Sequence, residues 1–263
     1  MHRLYRNERI IIMSILEIID LKRSYKRKNS ITNSSENIDV LHGINFSVQE
    51  KEFVGIMGKS GCGKTTLLKT LGLIDKPTSG QVLFKNRDSK LLGGDDLATI
   101  LRNEIGFIYQ DFYLLDSLSV LENIMLPMIL NQIDEDTILV QARDYAKQFE
   151  IEHVLEKHPY ELSGGEKQRA AICRSLMNSP DLLLADEPTG NLDSNSSRNV
   201  IQTLGEINEQ LGKTIVMVTH DPLAASYCKR VIFFKDGEIL KDLRRSDSQE
   251  HFYQEILEMM QYL

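Results

Sequence analysis

The stretch "GKSGCGKTT", Gly58 to Thr66, constrains this chain more than any other, because it dictates a strand, a loop and a helix in one run. It follows the apolar "FVGIM" and opens the apolar-periodic "TTLLKTLGL", the context in which G-x-x-x-x-G-K-[ST] forms a phosphate-binding loop. Gly58, Gly61 and Gly63, with Ser60 between them, allow a tight turn whose N–H groups surround phosphate oxygens. Lys64 is placed to reach the β and γ phosphates of a nucleotide, and Thr65 to set a hydroxyl on Mg²⁺, with Thr66 beside it. A chance match in such a chain is of order one in a hundred, so a merely structural glycine turn is the weaker reading. Cys62 lies inside the loop without an adjacent resolving cysteine, which argues against a redox brake.

A second signal fits the same chemistry. "DLLLADEPTGNLD", Asp181 to Asp193, is an apolar strand ending in two acids. A buried parallel strand delivers its last residues to the carboxyl edge of the sheet, where ligands of open α/β sheets bind. Asp186 is placed to orient Mg²⁺ or its water, and Glu187 to polarise the water that attacks the γ-phosphorus. Alone, such a pair equally well caps a turn; following a phosphate loop it reads as catalytic.

Short β-type runs recur ("ILEIIDL", "INFSV", "FVGIMG", "QVLF", "DLLLAD", "TIVMVTH", "VIFFKDG"), the later ones alternating with helical segments at Lys64–Leu73 and Ser194–Leu211. That alternation predicts a parallel sheet wound with helices. From Phe112 to Glu161 the strand signal gives way to helical periodicity, which predicts an inserted helical subdomain over about 112–165 within a domain of 14–243. The polar "KRKNSITNSSEN" reads as a hairpin loop. In 244–263, "SQEHFYQEILEMMQYL" predicts a helix that packs on its own domain through Phe252, Ile256, Met259 and Leu263. Residues 1–12, ahead of Met13, form an extension with no assigned role.

The net charge of -7 argues against a nucleic-acid binder, and the basic run from Lys22 to Lys28 reads as a solvated hairpin flank. Cys62, Cys173 and Cys228 lie far apart without C-x-x-C spacing, so neither a zinc site nor a disulfide framework is expected, in keeping with a reducing cytoplasm. "IIIMSILEII" carries Glu17 and lacks a small-residue cleavage site, so it reads as a strand rather than a signal peptide. No run approaches the roughly 18–20 uninterrupted apolar residues of a membrane span, so a membrane role has to come through another chain.

One motif is left over. In "LSGGEKQR", Leu162 to Arg169, a Ser-Gly-Gly turn opens an apolar-periodic run, a helix start suited to phosphate. The chain already has a phosphate loop, and this second start offers a hydroxyl and N–H donors but no magnesium ligand. It can close a phosphate site and cannot build one.

With Gly58–Thr65, "LSGGEKQR", Asp186 and Glu187 in this order, the chain resembles the ATP-binding subunit of ABC transporters over about residues 14–240. The resemblance implies an α/β fold: a P-loop NTPase (RecA-like) core with an antiparallel β-subdomain and an inserted α-helical subdomain. It places Tyr25 where the family stacks an aromatic on adenine, Gln110 in "GFIYQD" on Mg²⁺ and the attacking water, and His220 in "VMVTHD" on the γ-phosphate and on Glu187. It also brings "NLD", Asn191 to Asp193, into the site. It implies a head-to-tail dimer with a second copy of the chain, in which Ser163, Gly164 and Gly165 cover the partner's ATP, and a location on the cytoplasmic face of the membrane through a permease.

Gly58 and Ser163 are 105 positions apart, unlike DNA-repair ATPases of related motif, where coiled coils intervene; translation factors carry two cassettes and this chain one. "DKPTSGQVLF", "GFIYQDFYLLDSLSVLENIMLP" and "ADEPTGNLDS" resemble the group of macrolide exporters, lipoprotein-releasing ATPases and the cell-division ATPase, whose membrane subunits carry large extracytoplasmic domains. "MVTHDPLAASYCKRVIFFKDGEI" and "FYQEILEMM" look like the Bce-type branch, which protects against antimicrobial peptides such as bacitracin and signals through a histidine kinase. The competing expectations are a macrolide- or lipoprotein-type exporter and a cell-division regulator that only signals. Phe112, Tyr113, Leu114 and Leu115 stand open between two roles: a surface for a cytoplasmic helix of the permease, or core of their own helical subdomain.

Overall fold

The computed structural model describes residues 14–28 and 35–263; the extension at 1–12 and part of the predicted hairpin loop lie outside the described residues. In chain order the first half forms β1 (Ser14–Lys28), β2 (Ser35–Gln49), β3 (Phe53–Met57), α1 (Lys64–Leu71), β4 (Ser79–Phe84), β5 (Arg87–Asp88), α2 (Gly94–Asn103), β6 (Ile105–Tyr109), α3 (Val120–Ile129) and α4 (Glu135–Gln148). Two short 3-10 turns follow, then α5 (Gly164–Leu176), β7 (Leu182–Asp186), α6 (Ser194–Gln210), β8 (Thr214–Thr219), α7 (Pro222–Ser226), β9 (Arg230–Lys235), β10 (Glu238–Arg244) and α8 (Gln249–Met260).

Two sheets organise these elements. The larger has the order β10-β9-β3-β8-β7-β6, parallel from β9 to β6, with β10 antiparallel at its edge. The smaller, β2-β1-β4-β5, is antiparallel. The fold is the expected one: a P-loop core, an antiparallel sheet and an inserted run of helices.

Alternation along the parallel strands explains the layers. Side chains of a strand point to opposite faces in turn, and a parallel sheet covered on both faces needs apolar residues at every position. Phe53, Met57, Leu183, Ala185, Ile215 and Met217 enter one core, with α3 to α8. Val54, Ile56, Leu182, Leu184, Val216 and Val218 enter the other, where α1 is enclosed between the two sheets through Leu67, Leu68 and Leu71. The phosphate loop is therefore anchored at both ends, by β3 below and by an enclosed helix after it.

In the inserted region, α3 starts at a capping box of Ser119 and Glu122. The buried Asn123 then stitches the preceding loop down, accepting from Leu115 N at 2.7 Å and donating to the carbonyls of Leu115, Leu118 and Ser119. At the other end of the chain α8 buries Phe252 and Ile256 completely, with Met259 and Leu263 packed against the same cluster.

A buried ionic cluster ties the sheets together. Arg230, only 5% exposed, grips Asp242 with two hydrogen bonds of 2.8 and 2.6 Å, donates to Ser47 O at 2.8 Å and pairs with Glu52 at 3.4 Å. Removing Arg230 takes the partner from Asp242 and from Ser47 O and leaves the buried Glu52 with Arg244 alone, 3.3 Å away, so the cost is at most the ~3–5 kcal/mol of a fully broken buried pair. Arg230→Ala is therefore expected to lower the thermal midpoint of the nucleotide-free protein by roughly 10 °C. Calorimetry showing an unchanged midpoint would contradict the role given to this cluster.

Candidate active site

The sheet brings the site together at its carboxyl edge. Met57 pairs with Thr219, Asp186 with Val218, and Tyr109 with Asp186, so the residues that follow these strands emerge side by side. Those residues are the loop from Gly58, Glu187, His220 and Gln110. Chain segments more than a hundred residues apart become neighbours by strand order alone.

The loop itself could not be built from other residues. A Cβ at Gly58 would run into the carbonyl oxygen of Phe234, and Gly63 sits at φ 105°, a left-handed value suited to glycine. Gly63 caps α1 without a side-chain bond, and the first turn holds no acid, so this helix start offers its N–H groups and positive dipole end to an anion. The result is a cleft of about 330 Å³ lined by Val40, Ser60, Gly61, Gly63, Lys64, Thr65, Thr66 and Glu187.

Inside it Lys64, 5% exposed, donates from Nζ to the carbonyls of Gly58 at 2.8 Å and Lys59 at 2.9 Å, and stands 3.9 Å from Glu187 Oε1. Thr65 Oγ1 donates to Asp186 Oδ1 at 3.2 Å, so two of the expected magnesium ligands already touch. Burial pushes the Asp186 carboxyl up, and the neighbouring charge of Glu187 adds to this while the Thr65 hydrogen bond opposes it. A half-buried carboxylate and a hydroxyl side by side are oxygen donors suited to a hard divalent cation. The residues present fit Mg²⁺.

Glu187 follows β7 in a left-handed conformation, φ 47°, of order 1 kcal/mol or more less favourable for a side-chain-bearing residue. Its N–H bonds Val218 O at 3.0 Å, which fixes the turn, and its carboxylate is held over the cleft by His220 Nδ1 at 3.1 Å from Oε2. A carboxylate only accepts, so His220 carries its proton on Nδ1 in this pair. Gln110 donates from Nε2 to Asn191 Oδ1 at 3.1 Å.

The remaining expected residues gather elsewhere. Ser163 caps α5 in a capping box with Glu166, its Oγ donating to Glu166 Oε2 at 2.6 Å. That hydroxyl, more than the neighbouring His153, holds the Glu166 carboxyl below its usual range. Asp193 caps α6, accepting from Asn195 N and from the N–H and hydroxyl of Ser196. Ser196 lies against Gly165, where a Cβ would meet its Oγ at 2.9 Å, and Leu192 lies against Gly164. Ser163, Gly164, Gly165 and Asp193 thus form a second group of two adjoining helix starts, and none of them lines the phosphate cleft. Tyr25 belongs to neither group: its hydroxyl donates to Asp75 Oδ2 at 2.5 Å, and the Arg23 guanidinium lies 4.4 Å above its ring.

Sequence reasoning missed Val40, which no signal distinguishes from other strand valines, and Asp75, which meets Tyr25 only in the fold. It named Asn191 without giving it a task.

A phosphate loop at a helix start, with a glutamate carboxylate beside it and oxygen donors that suit a cation, defines a P-loop ATPase. The family model described as ABC transporter matches residues 41–190. The chain is 43% identical over 246 residues to the bacitracin export ATP-binding protein BceA of Halalkalibacterium halodurans, covering 93% of this chain and 95% of that protein. It is 42% identical to the lipoprotein-releasing system ATP-binding protein LolD of Geobacter metallireducens, covering 87% and 99%. Among solved structures it matches the dimeric post-hydrolysis state of the ATP-binding cassette MJ0796 bound to ADP and Pi, with a TM-score of 0.80 and 38% identity over 88% of this chain and 100% of that one. The chain belongs to the ABC transporter family and is an ATPase subunit of an ABC transporter.

Proposed function

We propose that two copies of this chain close head to tail over two ATP molecules and thereby drive a separate permease in resistance to antimicrobial peptides of the bacitracin kind. The observation that carries the dimer is the split of the site. The phosphate cleft holds Lys64, Thr65 and Glu187, whereas the helix start at Ser163, which the sequence leads one to expect over a phosphate, lies outside it. A second copy brings the two groups together, and MJ0796, so similar in fold, is dimeric. The likeness to a bacitracin export protein along nearly the whole of both chains supports the peptide branch; a permease that reports to a sensor histidine kinase rests on the resemblance of the sequence to that branch alone. The similar identity to a lipoprotein-releasing protein favours the second reading, an exporter of lipoproteins or, in the same group, macrolides. Deleting the gene and measuring growth against bacitracin, a macrolide and lipoprotein release separates them: peptide sensitivity alone is expected.

Within each site the loop N–H groups and Lys64 hold the β and γ phosphates, as their free helix start and buried ammonium suit them to do. Thr65, Asp186 and Gln110 would hold Mg²⁺, which would supply positive charge against the phosphate oxygens. Glu187 takes the proton of the attacking water, and His220 keeps that carboxylate in place.

Tyr25 is assigned to adenine stacking, with Arg23 on one face of the ring. Tyr25→Ala is expected to raise the KM for ATP up to about tenfold while kcat changes less, the mark of lost uniform binding. Steady-state kinetics with an unchanged KM would confine Tyr25 to its contact with Asp75.

The permease is assigned to the surface beyond Gln110. Leu114 packs into the helical core, but Tyr113 is 61% exposed and Leu115 48%. Arg174 holds the carbonyls of Phe112 and Tyr113, and an apolar groove of about 300 Å³ containing Phe107, Leu126 and Leu130 lies beside Tyr109, on which Tyr113 packs edge-on. Tyr113→Asp is expected to shift stability by no more than about 0.5 kcal/mol, as surface changes do, and to abolish co-purification with the permease. A variant that still assembles, or that melts far below the unaltered protein, would remove the permease from this surface.

A further inference from the structure

Asn191 reaches from the turn after Glu187 to the segment that carries Gln110 and engages it three times. Its Nδ2 donates to Asp111 Oδ1 at 2.9 Å and to the backbone carbonyl of Gln110 at 3.3 Å, and its Oδ1 accepts from Gln110 Nε2 at 3.1 Å. The order of these bonds is forced. A carboxylate and a carbonyl only accept, so the end of Asn191 that faces them is its NH₂, and the end left for Gln110 is its oxygen. An oxygen only accepts as well, so the end of Gln110 that faces Asn191 is its NH₂. The carboxylate of Asp111 thus sets the orientation of two amides in series, and Oε1 of Gln110 is the free end.

That end is the one a hard cation takes, since Mg²⁺ is bound through oxygen. A glutamine amide left to itself has two nearly equivalent orientations about its last torsion, and half of them present an NH₂ to the cation. Gly190 completes the clamp, because a Cβ there would stand 2.8 Å from Gln110 Nε2 and 2.9 Å from its Cδ, so the side chain lies flat on the glycine. Gly190 N in turn bonds Glu187 O at 3.0 Å, which joins the clamp to the turn that carries the base.

We infer that Asn191, oriented by Asp111, is a positioning residue that fixes the polarity of the Gln110 amide so that its oxygen is offered to the nucleotide-bound Mg²⁺. This rests on the assignment of Gln110 to the cation. Groups that orient a metal ligand through a hydrogen bond are worth about tenfold or more in metal affinity.

The test is binding rather than turnover, with a fluorescent ATP analogue titrated into full-length protein carrying Glu187→Gln, once with Mg²⁺ and once with EDTA. Asn191→Leu keeps the branching and the number of side-chain heavy atoms and removes all three hydrogen bonds. It is expected to leave the affinity in EDTA within about twofold and to reduce the gain given by Mg²⁺ by about tenfold. Gln110→Ala is expected to reduce the same gain, and the double variant to lose no more than Gln110→Ala alone, as two residues acting through one contact do. Asp111→Asn, an exposed change that frees Asn191 to turn over, is expected to lose part of the gain. If Gln110→Ala has its effect and Asn191→Leu has none, or if the losses add in full, the inference is overturned while the site assignment stands. If Gln110→Ala leaves the Mg²⁺ gain intact, the assignment of Gln110 fails and the inference with it.

Discussion

Glu187→Gln is expected to lower kcat for ATP hydrolysis by about 10²–10⁴, the range for loss of a positioned general base, while ATP still binds. Glutamine has the size of glutamate and keeps an oxygen to accept from His220, which now stands 3.1 Å from the carboxylate. The groups assigned to the phosphates and the cation, Lys64, Thr65 and Asp186, are untouched. What is lost is the capacity to take a proton from water. In the proposed cycle ATP closes the dimer and hydrolysis reopens it, so the variant should accumulate as a dimer in ATP and return to monomer in ADP, read by size exclusion. Hydrolysis at the unaltered rate would remove Glu187 from the chemistry, and an inactive variant that never dimerises would separate the base from dimer closure.

Lys64→Met acts at the other end of the reaction. The ammonium is almost wholly enclosed, held by the carbonyls of Gly58 and Lys59, and lies 3.9 Å from Glu187. Carbonyl partners do not neutralise it, so its charge remains for the phosphates. A charge-assisted hydrogen bond is worth about 1.5–3 kcal/mol, and Lys64 is assigned to two phosphates, so the variant should bind ATP about 10²–10⁴-fold more weakly. Equilibrium dialysis with labelled ATP checks this, with circular dichroism to show that the sheet remains. Dimerisation of this variant on its own in ATP should weaken along with binding. ATP affinity within a few-fold of the unaltered protein would contradict the placement of Lys64.

The catalytic half of this picture was legible because it is local in sequence. A phosphate loop writes its strand, turn and helix within a few residues, and Asp186 and Glu187 end a strand apolar enough to be recognised. Elements whose neighbours decide their fate were harder. β6, "IGFIY", was noticed for the Gln110 that follows it and not as a strand, since five residues with a glycine carry little periodicity. α2 opens on Gly94, Asp95 and Asp96, residues of low helix propensity, and was not predicted from the sequence; β10, "EILKDLR", is a polar edge strand that the alternation rule passes over. The tasks of Asn191 and Asp75 were invisible for a different reason. Asn191 meets Gln110 because β6 and β7 are adjacent, 81 residues apart along the chain, and Asp75 meets Tyr25 across 50. No motif encodes strand order, so what depends on it had to await the fold.

The proposal that each ATP site is shared between two copies is tested most directly by mixing two damaged proteins. Lys64→Met spoils the phosphate loop and leaves Ser163 sound; Ser163→Arg places a bulky side chain at an exposed helix start and leaves the loop sound. Each variant alone should be inactive, because every dimer it forms pairs a damaged half with a sound one at both sites. In a mixture, the heterodimer contains one site built from the loop of the Ser163→Arg chain and the Ser163 of the Lys64→Met chain, and both of those halves are sound. Cooperative sites share the loss, so the expected result is a partial return of ATP hydrolysis that rises with the proportion of heterodimer. Activity in the mixture no greater than the sum of the two separate proteins, with heterodimers demonstrably formed, would contradict the shared site.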